Sequence, residues 1–451
     1  MAASLPLSSP SEVRISFPER YMNARRRRIL FSAPSKLFPL QTKLAAQIGV
    51  HASILFWPVL AGLAILLIPM KLLHSAVKRW LHRLDMPQDD DKKYYSADNE
   101  WMETRKEWHA YPHKLEVGIS FFEKGNKVAR PGGGYDPNRP TMLYVHGWER
   151  GTTCRGMRET FNWKSNYEWA EFSDAVDIDA CDFWIARGWN VAIFYWSQVS
   201  DERKVTQAER KIYENAKRYH VVDYSNKKNL WKFEPMPDDL NKPIADALVE
   251  AFHNALHASK EKIVIVGHSL GSQLVLEATR RMCERAASPL PSRVVLCDAF
   301  FSKGRKHYLN NQSTAQRALE SAKLMIKKGI LLEWYHTSLL GDLGWFCGCA
   351  FAGDRADALR RLASFVKLDP PLIPWWDVAA RHISAANIYF LSAGLVDDDG
   401  SEEENDLRPV DEQGRTFPVL ADTPDDVIKE RMQSIHYWEQ QGPVFLQKTR
   451  K

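Results

Sequence analysis

Cysteine is scarce in this chain: six in 451 residues (Cys154, Cys181, Cys283, Cys297, Cys347 and Cys349). That is too few for a small disulfide scaffold, and Cys347-Gly348-Cys349 has no second pair or histidine cluster at a zinc-like spacing. Cys297 lies in an apolar run, where a thiol acts as a small hydrophobe. Internal repeats are missing, and low-complexity composition is missing too. With 45% hydrophobic residues, most of the chain belongs to a packed globular class rather than a disordered one. A basic surplus is also lacking where it would matter. The net charge is +5, but residues 1–50 hold eight basic residues and two acids, so the rest of the chain sums to −1. No basic stripe remains to bind nucleic acid, which is not expected as a partner.

One long hydrophobic run stands out. Between Lys43 and Lys71 there is no Asp, Glu, Lys or Arg, and Ala52–Met70 reads ASILFWPVLAGLAILLIPM. About 20 apolar residues at ~1.5 Å rise cross a bilayer core, so 44–73 is expected to form a single transmembrane helix closed by Lys71, Lys78, Arg79 and Arg83. The bilayer is then a partner, and the location is a membrane, with the endoplasmic reticulum or another organelle both compatible. Neither the topology nor the oligomeric state is specified. Residues 1–43 form a basic tail and 74–113 a polar linker bearing Asp89-Asp90-Asp91.

From about 114 to 451 the pattern is that of one domain. Short apolar runs at Met142–Val145, Val191–Trp196, Ile263–Val266, Val294–Cys297 and Ile388–Leu391 alternate with helical patterns near 172–187, 243–258 and 272–286. Continuous apolar runs are what parallel strands buried on both faces require, so the expected fold is a doubly wound, mostly parallel α/β sheet.

The chemistry points to Gly267-His268-Ser269-Leu270-Gly271, which directly follows the Ile263 strand and precedes a helix. A strand-to-helix turn this tight strains the serine backbone, while Gly267 and Gly271 remove Cβ atoms that would collide with neighbours. The hydroxyl is then presented at the carboxyl edge of the sheet. His146-Gly147-Trp148, at the end of the Met142 strand, has the form of a loop whose backbone N–H meets an oxyanion. The two donors would be the amides of Trp148 and Leu270.

On these residues, together with VAIFYWS (Val191–Ser197) and VVLCDA (Val294–Ala299), the sequence resembles the α/β-hydrolase superfamily, with its lipase- and esterase-like branch the nearest. The resemblance implies a serine hydrolase with chain order Ser, Asp/Glu, His and no metal or organic cofactor. It implies a base C-terminal to the acid, for which His436 is expected and His382 is the alternative. His436 is expected to follow a final strand near Thr416–Leu420 and a short helix at Asp425–Met432. His382 precedes the Ile388 strand and would lie at the wrong end of the sheet. For the acid, Asp298 ends the Val294 strand, where pancreatic-type lipases carry it. Asp397 or Asp398 is the alternative, within a stretch that holds seven acids in residues 397–406.

The segment 303–386 is expected to form a cap over the serine, with Trp334, Trp345, Phe346, Trp375 and Trp376 as an apolar lining. Residues 200–242 form a charged excursion with no assigned chemistry. The expected function is a membrane-anchored serine hydrolase cleaving a carboxylic ester, with an acyl lipid as substrate class, through an acyl-enzyme on Ser269. Two other readings remain open on the sequence: an acyltransferase using the same nucleophile, and a non-catalytic tethered protein that keeps the fold.

Overall fold

The computed structural model describes residues 114–129, 133–153, 158–163, 178–222, 231–338, 353–370, 373, 377–393, 410–411, 420–441 and 444–449. The expected transmembrane segment 44–73, the tail 1–43 and the linker 74–113 lie outside the described residues, as does Asp397. Among the described residues no helix is long and apolar enough to cross a membrane.

Eleven strands form one sheet: β1 (Gly118–Glu123), β2 (Lys127–Val128), β3 (Thr141–Val145), β4 (Asn190–Tyr195), β7 (Ile263–His268), β8 (Arg293–Cys297), β9 (Leu331–His336), β10 (Ser364–Lys367), β11 (Val410–Asp411), β12 (His436–Gln441) and β13 (Val444–Thr449). Their order across the sheet is β11-β13-β12-β10-β9-β8-β7-β3-β4-β1-β2. Every pairing from β4 through β12 is parallel. Strand β1 joins β4 antiparallel, and β13 joins β12 antiparallel. A separate antiparallel hairpin, β5 (Arg218–Val222) with β6 (Trp231–Pro235), follows the helix α3 (Val205–Tyr213). Those elements make up the excursion at 200–242.

The central strands read as unbroken apolar runs because both faces are covered. All residues of β3, β4, β7 and β8 are buried. Alternate side chains enter opposite cores: Leu143, Ala192 and Ile265 pack on one face, and Met142, Val191 and Val264 on the other. Side-chain alternation at period two requires this. The first face carries α4 (Ile244–Leu256) and α5 (Leu270–Glu284), together with α6 (Thr314–Lys327). The second carries α1 (Cys181–Ala186) and α8 (Val378–Ser392). Two further helices matter below: α2 (Ser197–Ser200), and α7 (Gly353–Leu362), which with Ala363 leads into β10.

Two expectations are corrected. The Ile388–Leu391 run is not a strand but the last turns of α8. A four-residue apolar run has no period of its own. Its surroundings decide the matter: Asp377 caps the helix by accepting from the Ala380 amide at 3.0 Å, and the alanines that follow favour helix. The segment 303–386 is likewise not simply an insertion over the serine. Its described part supplies β9 and β10 to the sheet and α6 and α7 to its flank. Trp334, expected in a cap lining, is fully buried in β9 and stacks edge-on to Phe301 and Phe365. Trp345, Phe346, Trp375 and Trp376 lie outside the described residues.

Candidate active site

Ser269 stands between β7 and α5 with φ +54° and ψ −119°, a backbone conformation that non-glycine residues rarely hold. The surroundings enforce it. The Ser269 amide donates to the Cys297 carbonyl at 3.0 Å, and its carbonyl accepts from Phe300 at 3.1 Å. A Cβ on Gly267 would lie 2.7 Å from the Gly271 carbonyl oxygen, and one on Gly271 would strike the carbonyl oxygens of Val145 and His146. The helix therefore starts hard against the ends of β3 and β7, and only glycine fits at both positions. Ser269 itself is half-buried rather than sealed in the core.

The Ser269 hydroxyl lies 2.7 Å from Nε2 of His382. On the other side of that ring, Nδ1 lies 2.6 Å from Oδ2 of Asp298. Asp298 follows β8, its amide donating to the Tyr335 carbonyl at 2.7 Å, and its φ is +44°. Aspartate tolerates this left-handed turn better than most residues, and the turn ends the strand where the side chain is needed. His382, 15% exposed, lies in the first half of α8. Thus the structure brings Ser269, Asp298 and His382 together.

His436 is not part of this group. It is the first residue of β12, paired with Thr449, and β12 runs parallel to β10 and so to β7. Its place is at the amino edge of the sheet, whereas Ser269 follows the carboxyl end of β7. The expectation of His436 as base is corrected for that reason. It depended on a strand near Thr416–Leu420, but the strand that precedes the histidine facing Ser269 is β10, Ser364–Lys367.

Asp298 is 2% exposed and heavily hydrogen-bonded. Besides His382, it faces Nδ1 of His336 at 2.7 Å from Oδ1. The amides of Thr337 (3.2 Å) and Ser338 (3.4 Å) also donate to Oδ1, and the Ser338 hydroxyl donates to Oδ2. Burial alone would raise its pKa. The charge and hydrogen bonds of His336 and His382 outweigh that and hold the carboxyl far below the usual range, so it stays ionised. Sequence reasoning missed His336 because it lies in a strand that also carries Glu333.

His268, immediately before the serine, is buried and donates from Nε2 to the His382 carbonyl at 2.9 Å, which ties α8 to the elbow. Burial and the neighbouring His382 push its pKa down to about 3, so it is neutral. Arg381 anchors the entry to α8, donating to the Ile373 carbonyl and pairing with Asp369. Trp184 Nε1 donates to the Phe390 carbonyl at 3.0 Å and fastens the far end of the helix.

The loop after β3 passes directly beside the elbow. A Cβ on Gly147 would lie 2.9 Å from Ser269 Cβ and 3.4 Å from the Leu270 amide nitrogen. The Trp148 and Leu270 amides expected to receive an oxyanion therefore belong to two segments in contact. His146 fixes the loop from below: its Nε2 accepts from the Trp196 amide at 3.2 Å, and its carbonyl accepts from Trp196 Nε1 at 3.0 Å. Burial lowers the pKa of His146 to about 3. The excursion at 200–242 holds the loop from outside. Asp201 accepts from the Gly151 and Thr153 amides, and the Glu202 carbonyl accepts from Trp148 Nε1 at 2.7 Å.

Among the described residues, one group offers three possible metal ligands within 4.8 Å of one another: His146, Glu149 and Glu159. Hydrogen bonding already engages them. With Nε2 of His146 accepting, Nδ1 carries the proton and faces Gly147 O and Glu149 Oε1, each at 3.1 Å. Tyr144 donates to Glu159 at 2.7 Å. Burial pushes the pKa of Glu149 well up, with the charge of Glu159 adding to it, and burial raises Glu159 too.

A doubly wound sheet with a strained serine at its carboxyl edge, backed by an imidazole and a buried carboxylate, defines the class of α/β hydrolases. The sequence profile of the Alpha/beta hydrolase family matches residues 207–431, and the chain is a member of the α/β-hydrolase superfamily. No curated protein matches the sequence. Among solved structures it is similar to TT1662 from Thermus thermophilus (10% identity, covering 56% of this chain and 90% of that one, TM-score 0.26). It is also similar to the Pyrococcus horikoshii acylaminoacyl peptidase (12% identity, 62% and 41%, TM-score 0.31). A lipase-esterase related protein from Clostridium acetobutylicum is a further match (13% identity, 49% and 79%, TM-score 0.21). These likenesses bear on neither substrate nor site.

Proposed function

We propose that the chain is a serine hydrolase that cleaves carboxylic esters, with acyl lipids as the substrate class and a helix at 44–73 holding the domain at a membrane. The observation that carries the reading is the continuous line Ser269 Oγ–His382–Asp298, with separations of 2.7 and 2.6 Å. In that arrangement His382 Nε2 takes the serine proton as Oγ attacks the carbonyl carbon, and Asp298 holds the ring by its Nδ1–H and stabilises the imidazolium. The amides of Trp148 and Leu270 receive the oxyanion. The proton passes from His382 to the departing alkoxide, leaving the acyl group on Ser269. His382 then deprotonates water, which attacks the acyl carbon, and the carboxylic acid leaves as Ser269 regains its proton. The charge-free stretch of residues 44–70 and the 16 tryptophans support lipid rather than water-soluble esters.

The test is labelling of the full chain by a fluorophosphonate, with turnover of short- and long-chain aryl esters alongside. Wild type is expected to label and Ser269→Ala to lose both labelling and turnover. An unlabelled wild type rejects the reading. Turnover of short-chain esters alone rejects the lipid part, and release of the full chain from membranes by alkaline carbonate rejects the anchor.

A further inference from the structure

Asp298 is shared between two imidazoles. His382 takes one carboxylate oxygen at 2.6 Å and His336 the other at 2.7 Å. Both His336 and Asp298 are buried, at 3% and 2% exposure. The backbone fixes their meeting. Parallel register places Tyr335 beside Cys297, so His336 emerges at the carboxyl end of β9 next to the turn at Asp298. On its other side the His336 carbonyl accepts from the Leu368 amide at 2.7 Å, and its ring lies 6.1 Å from that of Phe365. The imidazole therefore has little room to leave the carboxylate.

A carboxylate can rotate about its own bond and offer either oxygen to a partner. Oδ1 also accepts from the Thr337 and Ser338 amides at 3.2 and 3.4 Å and Oδ2 from the Ser338 hydroxyl, but His336 at 2.7 Å is the nearest of the partners on Oδ1. We propose that His336 is a positioning residue, whose Nδ1–H holds Oδ1 of Asp298 so that Oδ2 stays in line with His382 and, through it, Ser269. His336 meets the triad through Asp298, on the carboxylate oxygen opposite the one that faces His382, so it acts on the rate of serine attack and leaves substrate binding alone. The proposal rests on the serine-hydrolase reading above.

The experiment compares His336→Asn, His336→Gln and His336→Ala in fluorophosphonate labelling of the full chain, separating the saturating rate from the concentration dependence. An asparagine nitrogen falls where Nδ1 was, whereas the glutamine nitrogen reaches the position of Nε2. Since misplacing a reacting group by about 1 Å costs up to ~100-fold, the Gln and Ala variants are expected to label about 10- to 100-fold more slowly at saturation. Their half-saturating probe concentration should stay unchanged, and His336→Asn should keep the rate within about threefold of wild type. Equal rates for Asn and Gln, whether both near wild type or both lost, overturn the proposal, and so does a loss expressed only in probe affinity. The Asn and Gln pair decides the matter even if the alanine variant does not fold. A wild type that fails to label rejects the hydrolase reading itself, whereas a labelled wild type with indistinguishable Asn and Gln variants rejects only the role of His336.

Discussion

Replacing His382 by glutamine separates the two histidines that the sequence offers as base. The substitution removes the imidazole nitrogen at 2.7 Å from the Ser269 hydroxyl, the only one so placed among the described residues. Neither neighbouring ring can take over. His268 donates its Nε2–H to the His382 carbonyl, and its depressed pKa of about 3 makes it a poor proton acceptor. His336 lies across Asp298 from the serine. General-base assistance contributes about 10²–10⁴-fold, so with no substitute in reach the loss should fall in the upper half of that range, roughly 4–5 kcal/mol of barrier. An independent estimate comes from the carboxylate. Unit charges about 4 Å apart attract by ~4 kcal/mol at an effective dielectric of ~20, so Asp298→Asn should cost close to 10³-fold once the imidazolium has lost that partner. His436→Gln, at the opposite edge of the sheet, should label within about twofold of wild type, as surface substitutions usually change little. The assay is the second-order rate of fluorophosphonate labelling on the full chain, with a melting curve for each variant. Near-normal labelling of His382→Gln, or a large loss in a folded His436→Gln, would refute the assignment.

Other expectations follow from the same contacts. Gly271→Ala should destabilise the fold by about 1–3 kcal/mol and slow labelling as well, because the new methyl pushes α5 away from the ends of β3; a melting temperature and labelling rate equal to wild type would contradict this. His146 and His268 both have folded-state pKa values of about 3 against 6.5 when unfolded. Their contribution is complete above pH 6.5 and is lost as pH falls toward 3, because the unfolded chain binds the extra protons, at about 1.4 kcal/mol per pH unit for each ring. Urea unfolding of wild type and His146→Asn between pH 6.5 and 4 should show the variant with the shallower slope, and equal slopes would speak against it. Glu149 has the opposite sign: its raised pKa means that its contribution is present below pH 4.5 and declines as pH rises. Glu149→Gln should therefore gain on wild type as pH rises above 4.5 in the same unfolding experiment.

How much of this was legible in the sequence depended on how each strand is buried. Strands β3, β4, β7 and β8 are covered on both faces and stand out as continuous apolar runs. The elbow was legible because its glycines, strand and helix adjoin in sequence, and Asp298 because it ends a strand of that kind. Strand β9 was half-hidden. It carries Glu333, fully buried against Arg293 and bonded by the Tyr335 hydroxyl, and a buried acid in a strand reads as a surface residue until its partners are known. Strand β10 is only four residues, SFVK, too short to show a period and directly attached to α7.

The position of β10 decides which histidine faces the serine. A residue that follows a parallel strand lies at the carboxyl edge of the sheet, and one that opens a strand lies at the amino edge. Taking Ile388–Leu391 as a strand put His382 before it and so on the wrong edge. Once that run is the end of α8, the described strand preceding His382 is β10, whose carboxyl end lies on the serine's edge of the sheet, and the helix begins after Asp377. The same inversion removes His436, because the residue that looked like the sequel to a final strand is the start of β12. The two reassignments rest on different elements, β10 and α8 for His382 and the start of β12 for His436, and the bond from His268 to the His382 carbonyl helps hold the imidazole on the serine's side.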